Sequence, residues 1–138
     1  MITAQELRIG NLVMLHNPKY RLVESDKIHQ VLEVRENAAM VTISGSNNEY
    51  GQYYEFLKGI PLSEEILLKC GFEPIYKSDF TVKLELITEH IFEAVRSIEN
   101  DWHIRYKFNV LKHFNYLHQL QNIYFALTGQ ELNTSGLI

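Results

Sequence analysis

Apolar and polar positions alternate with the period of a strand through much of the first sixty residues, and the period shifts toward that of a helix at two later places. Thr3-Ala4-Gln5-Glu6 has the spacing of a capping box, in which hydroxyl and carboxylate each satisfy a free backbone donor of one helical turn. Gly10-Asn11 and Asn17-Pro18 bracket a short strand at Leu12-Val13-Met14-Leu15. Ile28, Gln30, Leu32 and Val34 share one face of the next candidate strand, Glu36-Asn37 turns it, and Ala39-Met40-Val41-Thr42-Ile43 returns, which predicts a hairpin. After the polar turn Gly45-Ser46-Asn47-Asn48, the aromatic-rich run from Tyr50 to Leu57 reads as strand. Residues 11–58 thus give roughly four or five short strands, expected to form an SH3-like small antiparallel sheet or half-barrel.

A short helix is predicted near 62–70. Ser63 can cap it, Glu64 and Glu65 suit the positive end of its dipole, Gly71 can end it in the left-handed conformation, and Pro74 prevents its resumption. Ile66, Leu67 and Cys70 share a face, and Phe72 falls where it can pack back on Leu67. Thr81–Leu86 and Trp102–Phe108 alternate as half-buried strands. Between them Ile91, Phe92, Ala94, Val95 and Ile98 fit a helical stripe as well as a strand, and a turn at Glu99-Asn100-Asp101 favours antiparallel strands. Tyr116, Leu120, Ile123, Tyr124 and Leu127 define a helix over about 115–128, with Gly129 as its stop. The expected fold is α+β with this helix packed on a sheet, in a single domain over 1–138 whose residues 132–138 form a frayed tail.

Length and composition change this picture little. A chain of 138 residues, 46% hydrophobic and 22% charged, has the material for one ordinary core. The net charge of −4 gives no general attraction to nucleic acid or anionic lipid. Locally, residues 1–101 carry 10 Lys/Arg against 16 Asp/Glu, and residues 102–138 carry 3 against 1. The lone Cys70 cannot form an internal disulfide, and no basic segment followed by an apolar run opens the sequence, so a cytoplasmic setting is expected. The long uncharged stretch His113–Gln130 holds too many amides and imidazoles for a membrane span.

Three segments, Glu6-Leu7-Arg8-Ile9-Gly10-Asn11-Leu12-Val13, Gly59-Ile60-Pro61-Leu62-Ser63-Glu64-Glu65-Ile66-Leu67-Leu68-Lys69-Cys70-Gly71-Phe72 and the run from Tyr116-Leu117-His118-Gln119 to Gly129-Gln130-Glu131-Leu132, carry a likeness. In combination the chain resembles a family of uncharacterised small proteins from Bacteroides-type bacteria and their phages or prophages. That resemblance implies a bacterial or phage origin and brings no activity with it.

The densest polar constellation is His118, Gln119, Gln121 and Asn122, where His118 and Asn122 lie one turn apart on one helix face and form a candidate ligand or partner site. The bland alternative is that these groups satisfy backbone atoms. No His-x-x-x-His spacing occurs, and His113 and His118 would diverge by about 140° on a helix, so no metal site and no cofactor is expected. Cys70 lies in the last turn of its helix among apolar neighbours, where its thiol is packing material. No glycine pattern of a phosphate loop and no nucleophile elbow is present. Tyr50, Tyr53, Tyr54 and Phe56 crowd one strand region, with Tyr53 and Tyr54 as further partner-binding candidates, while Arg105, Lys107 and Lys112 supply cations that could meet phosphates.

The leading expectation is a non-enzymatic interaction module with a protein partner, the balance being against an enzyme. The alternatives are a nucleic-acid binder of a phage or mobile element, and a small hydrolase or transferase with dispersed site residues. Apolar surface on the last helix leaves room for a homodimer.

Overall fold

A computed structural model describes residues 2–16, 27–43, 48–78, 81–87, 91–96, 101–107 and 109–137. The expected breaks and turns at Asn17-Pro18, Gly45-Ser46-Asn47 and Glu99-Asn100, and the ring of Phe108, lie outside them. The fold is α+β, with antiparallel sheets and two α-helices among the described residues. The described residues form two compact units, one containing those up to Ile60 with Leu117–Asn122, the other Pro61–Tyr116 with Ile123–Leu137.

The first unit opens with a 3-10 turn at Ala4–Glu6, where the Glu6 carboxylate accepts from the Thr3 N–H at 2.8 Å as the capping box requires. Strands β1 (Leu12–Leu15), β2 (His29–Val34), β3 (Ala38–Ile43) and β4 (Glu49–Tyr53) follow as a meander. A 3-10 turn at Tyr54–Phe56 then leads into β5 (Leu57–Lys58), which pairs with β1, so the sheet order is β4-β3-β2-β1-β5. Ile2, Leu7, Val13, Leu15, Val31, Ala39, Val41 and Leu57 form its core. Leu12 is buried on the other side of β1, which explains why this strand reads as an unbroken apolar run.

Two expectations need correction here. Tyr50–Leu57 is not one strand, since the 3-10 turn divides it and sends β5 back to β1. In β2, His29 and Val31 are the fully buried positions, whereas Gln30 and Leu32, like Ile28 just before it, are half-buried. The register shifts between Val31 and Glu33, and this bulge brings Val34 to the core side as well.

The second unit contains α1 (Glu64–Lys69) and strands β6 (Phe72–Lys77), β7 (Val82–Ile87), β8 (Ile91–Arg96), β9 (Trp102–Tyr106) and β10 (Asn109–His113), in the order β10-β9-β8-β7-β6. Ser63 Oγ caps α1 by accepting from the Ile66 N–H at 3.1 Å, and Gly71 follows at φ +96°. Leu67, Cys70 and Phe72 are buried as their spacing predicts, while Ile66, expected to bury with Leu67 and Cys70, is half-buried. The ambiguous segment is strand: β8 pairs with β7 on one side and β9 on the other. Val82, Leu84, Leu86, Phe92, Ala94, Trp102 and Ile104 fill the core, and the Phe92 ring meets Tyr124 edge-on at 5.2 Å.

Helix α2 (Leu117–Thr128) gives its first half to the first unit and the remainder to the second. Tyr116 lies outside it, in an isolated bridge to Pro61, so the buried stripe runs through Leu117, Leu120 and Tyr124. Gly129 ends it at φ +71°. The tail expected to fray from 132 instead buries Leu132 and forms a 3-10 turn at Ser135–Leu137. A Cβ at Gly136 would stand 2.5 Å from the Lys69 carbonyl oxygen, an approach that only glycine permits. No helix among the described residues is long and apolar enough to cross a membrane.

Candidate functional site

The polar constellation on α2 belongs to the first unit, where it meets the loop that leads into β1. Gln121 is buried, and its amide acts as a substitute peptide group: Oε1 accepts from the Leu12 N–H at 2.8 Å and Nε2 donates to the Gly10 carbonyl at 3.2 Å. Next to it, Asn122 Nδ2 donates to the Glu6 carbonyl at 2.7 Å, and its Oδ1 accepts from Asn11 Nδ2 at 2.8 Å. Asn11, fully buried, also accepts from the Arg8 N–H at 2.7 Å. Gly10 at φ +94° makes the turn that points these backbone groups toward the helix. The network is therefore addressed to the chain's own backbone, which would otherwise hold unsatisfied donors and acceptors at the start of β1.

His118 is buried, and its Nε2 lies 3.8 Å from Glu6 Oε2. Burial pushes its pKa below the ordinary imidazole value, while the nearby carboxylate pulls the other way. Gln119 is half-buried on the same helix. Of the sequence-derived candidates, His118 and Asn122 thus come together around Glu6, whose side chain is partly exposed. The segments Glu6–Leu12 and His118–Asn122 make this junction between them.

No protein-family model, curated protein or solved structure matches this chain.

The remaining candidates are dispersed. Tyr54 packs against the first core and its hydroxyl donates to the Arg35 carbonyl, which makes it a structural tyrosine. Tyr53 is exposed at the end of β4, its ring 6.4 Å from that of Phe56. In the second unit Arg105 Nη1 lies 3.5 Å from the buried Glu93 carboxylate, which Lys83 also approaches at 3.2 Å, and Lys107 Nζ stands over the Tyr106 ring at 5.3 Å. The Lys112 side chain is outside the described set. Cys70 is a free, buried cysteine whose thiol is pushed up to about 11 by burial, so it stays protonated and is a poor nucleophile. No group of three or more His, Cys, Asp or Glu side chains among the described residues converges to hold a metal ion.

What the sequence could not show is the order of strands, and with it the sheet edges. An edge strand offers unpaired N–H and C=O groups, and proteins guard such edges with bulges, proline, lysine or short length. β6 carries Pro74, a register shift and Lys77, while β10 carries a register shift and a lysine, and β5 spans two residues. β4 is different. Its five residues pair with β3 without a shift, Glu49-Tyr50-Gly51-Gln52-Tyr53 contains neither proline nor lysine, and Tyr50 and Tyr53 are 41% and 60% exposed.

Proposed function

We propose that this protein is a non-enzymatic binding module that receives an extended segment of a partner protein along β4. The observation that carries the reading is that β4 ends its sheet among the described residues, with no proline, lysine or bulge and with two exposed tyrosines on it. Strand addition supplies backbone hydrogen bonds, and the rigid, amphipathic tyrosine rings supply contact area at low entropic cost. The same reading takes the first unit as an SH3-like half-barrel, supported by its four-strand meander, the 3-10 turn after β4 and the return of β5 onto β1. The origin in bacteria or their phages follows from the resemblance, and a reducing cytoplasm suits a lone thiol held buried.

A displayed library of short random peptides, panned against the full chain, tests this. An enriched peptide should shift the backbone amide resonances of Glu49–Tyr53 most, and Tyr50→Lys combined with Tyr53→Lys should weaken its binding by about tenfold or more. Both positions are exposed, and an unchanged far-UV spectrum and urea midpoint should show that the variant keeps its fold. Failure to enrich any peptide, or shifts centred away from β4, would contradict the proposal.

A further inference from the structure

In the second unit His103 on β9 and His113 on β10 are register partners, and their ring centroids are 4.0 Å apart with the planes inclined at 53°. Residues paired directly across antiparallel strands project to the same side of the sheet. His113 is exposed and His103 half-buried, so the pair is open to solvent. Among the described residues, neither imidazole takes part in a hydrogen bond or an ion pair, and the ring that each contacts is the other's. Two rings with uncommitted nitrogens, held side by side on adjacent strands, form a preorganised pair of nitrogen donors.

We infer that His103 and His113 together bind a late first-row divalent ion, Cu2+ most tightly and Zn2+ less so. Imidazole suits these ions, and the order follows the general affinity series for nitrogen donors. An ion that binds each nitrogen at about 2.0–2.1 Å holds the two nitrogens about 3 Å apart. With ring centroids 4.0 Å apart, a modest outward rotation of the two side chains would bring one nitrogen of each ring to a common ion. The nearest cation along β9, Arg105, lies by the Glu93 carboxylate, which offsets its repulsion. Two protein donors leave the remaining positions to water or to a ligand from outside, so the site is open, in contrast to closed four-coordinate structural centres. Ligation would also link β9 to β10 and stabilise the folded state by mass action.

The test uses the full chain at neutral pH, titrated with CuCl2, ZnCl2 and, as a hard-ion control, MgCl2. Substoichiometric Cu2+ should broaden the ring resonances of His103 and His113 before those of the exposed His16, and Zn2+ should bind with a stoichiometry of one while Mg2+ does not. His103→Gln and His113→Gln should each weaken Zn2+ and Cu2+ binding by more than about tenfold, the lower end of what loss of even an outer-shell partner costs. His16→Gln should leave binding unchanged. Broadening that starts at His16, absence of Cu2+ binding, or binding that survives both β-strand substitutions would overturn the assignment. The resonance measurement is made on the unsubstituted protein, so it decides the matter even where a variant fails to fold.

Discussion

At the scale of single residues, His118 shows two opposed effects and which of them prevails. Its ring is 1% exposed, which favours the neutral form, and Glu6 lies 3.8 Å away, which favours the cation. Burial prevails, so the folded protein holds the proton less readily than the unfolded chain, whose imidazole titrates near the ordinary value of 6.5. Below that pH the unfolded state binds more protons, and stability falls as pH drops until the folded ring is itself protonated; above it the contribution is fully present. Urea midpoints measured from pH 7.5 downward should decline through this window, and His118→Gln should flatten the decline. Equal pH dependence in the two proteins would contradict the assignment. As a cluster, His118, Gln121 and Asn122 are legible in the sequence from their spacing on one helix. Their partners are not, because these are chiefly backbone groups more than a hundred positions away, and a backbone carbonyl carries no sequence signature. Tyr54 illustrates the same point: its bond to the Arg35 carbonyl depends on the β3 hairpin that precedes it.

At the scale of elements, boundary chemistry was easier to read than pairing. Ser63, Glu64, Glu65 and Gly71 delimit α1, and Gly129 ends α2, because capping and left-handed residues act locally. The faces of β2 were misread because one inserted residue breaks the alternation on which face assignment relies. β6 escaped notice because Pro74 argues against a strand, yet an edge tolerates it. β10 was missed because its connection to β9 lacks the usual Asn-Gly signal. Lys107 occupies the left-handed region there at φ 49°, where a side chain with a Cβ is strained. Lys107→Gly should therefore raise stability by about 0.5–1 kcal/mol, relief of the backbone outweighing the loss of the exposed contact with Tyr106. A denaturant midpoint that fell by a similar amount would show that the turn is comfortable with lysine.

On the scale of the whole molecule, the α+β class was legible because helical and strand periods are separated along the chain, whereas its division into two units was not. No proline-rich or glycine-rich linker marks a boundary, and α2 is an uninterrupted helix that contributes to both units. The first unit is completed by residues that stand far apart in sequence, with the amides of α2 supplying hydrogen bonds to the loop before β1. The chemically equipped side chains of this junction hydrogen-bond the chain's own backbone, and the binding we propose lies at β4 and at the His103–His113 pair. A double-mutant cycle on Asn11 and Asn122, whose side-chain amides meet at 2.8 Å, tests that division most directly. With urea unfolding of Asn11→Ala, Asn122→Ala and the double variant, the expected coupling is about 1 kcal/mol, the net worth of a partly buried hydrogen bond. Additivity to within about 0.3 kcal/mol would contradict the account and return these amides to the pool of groups available for a ligand.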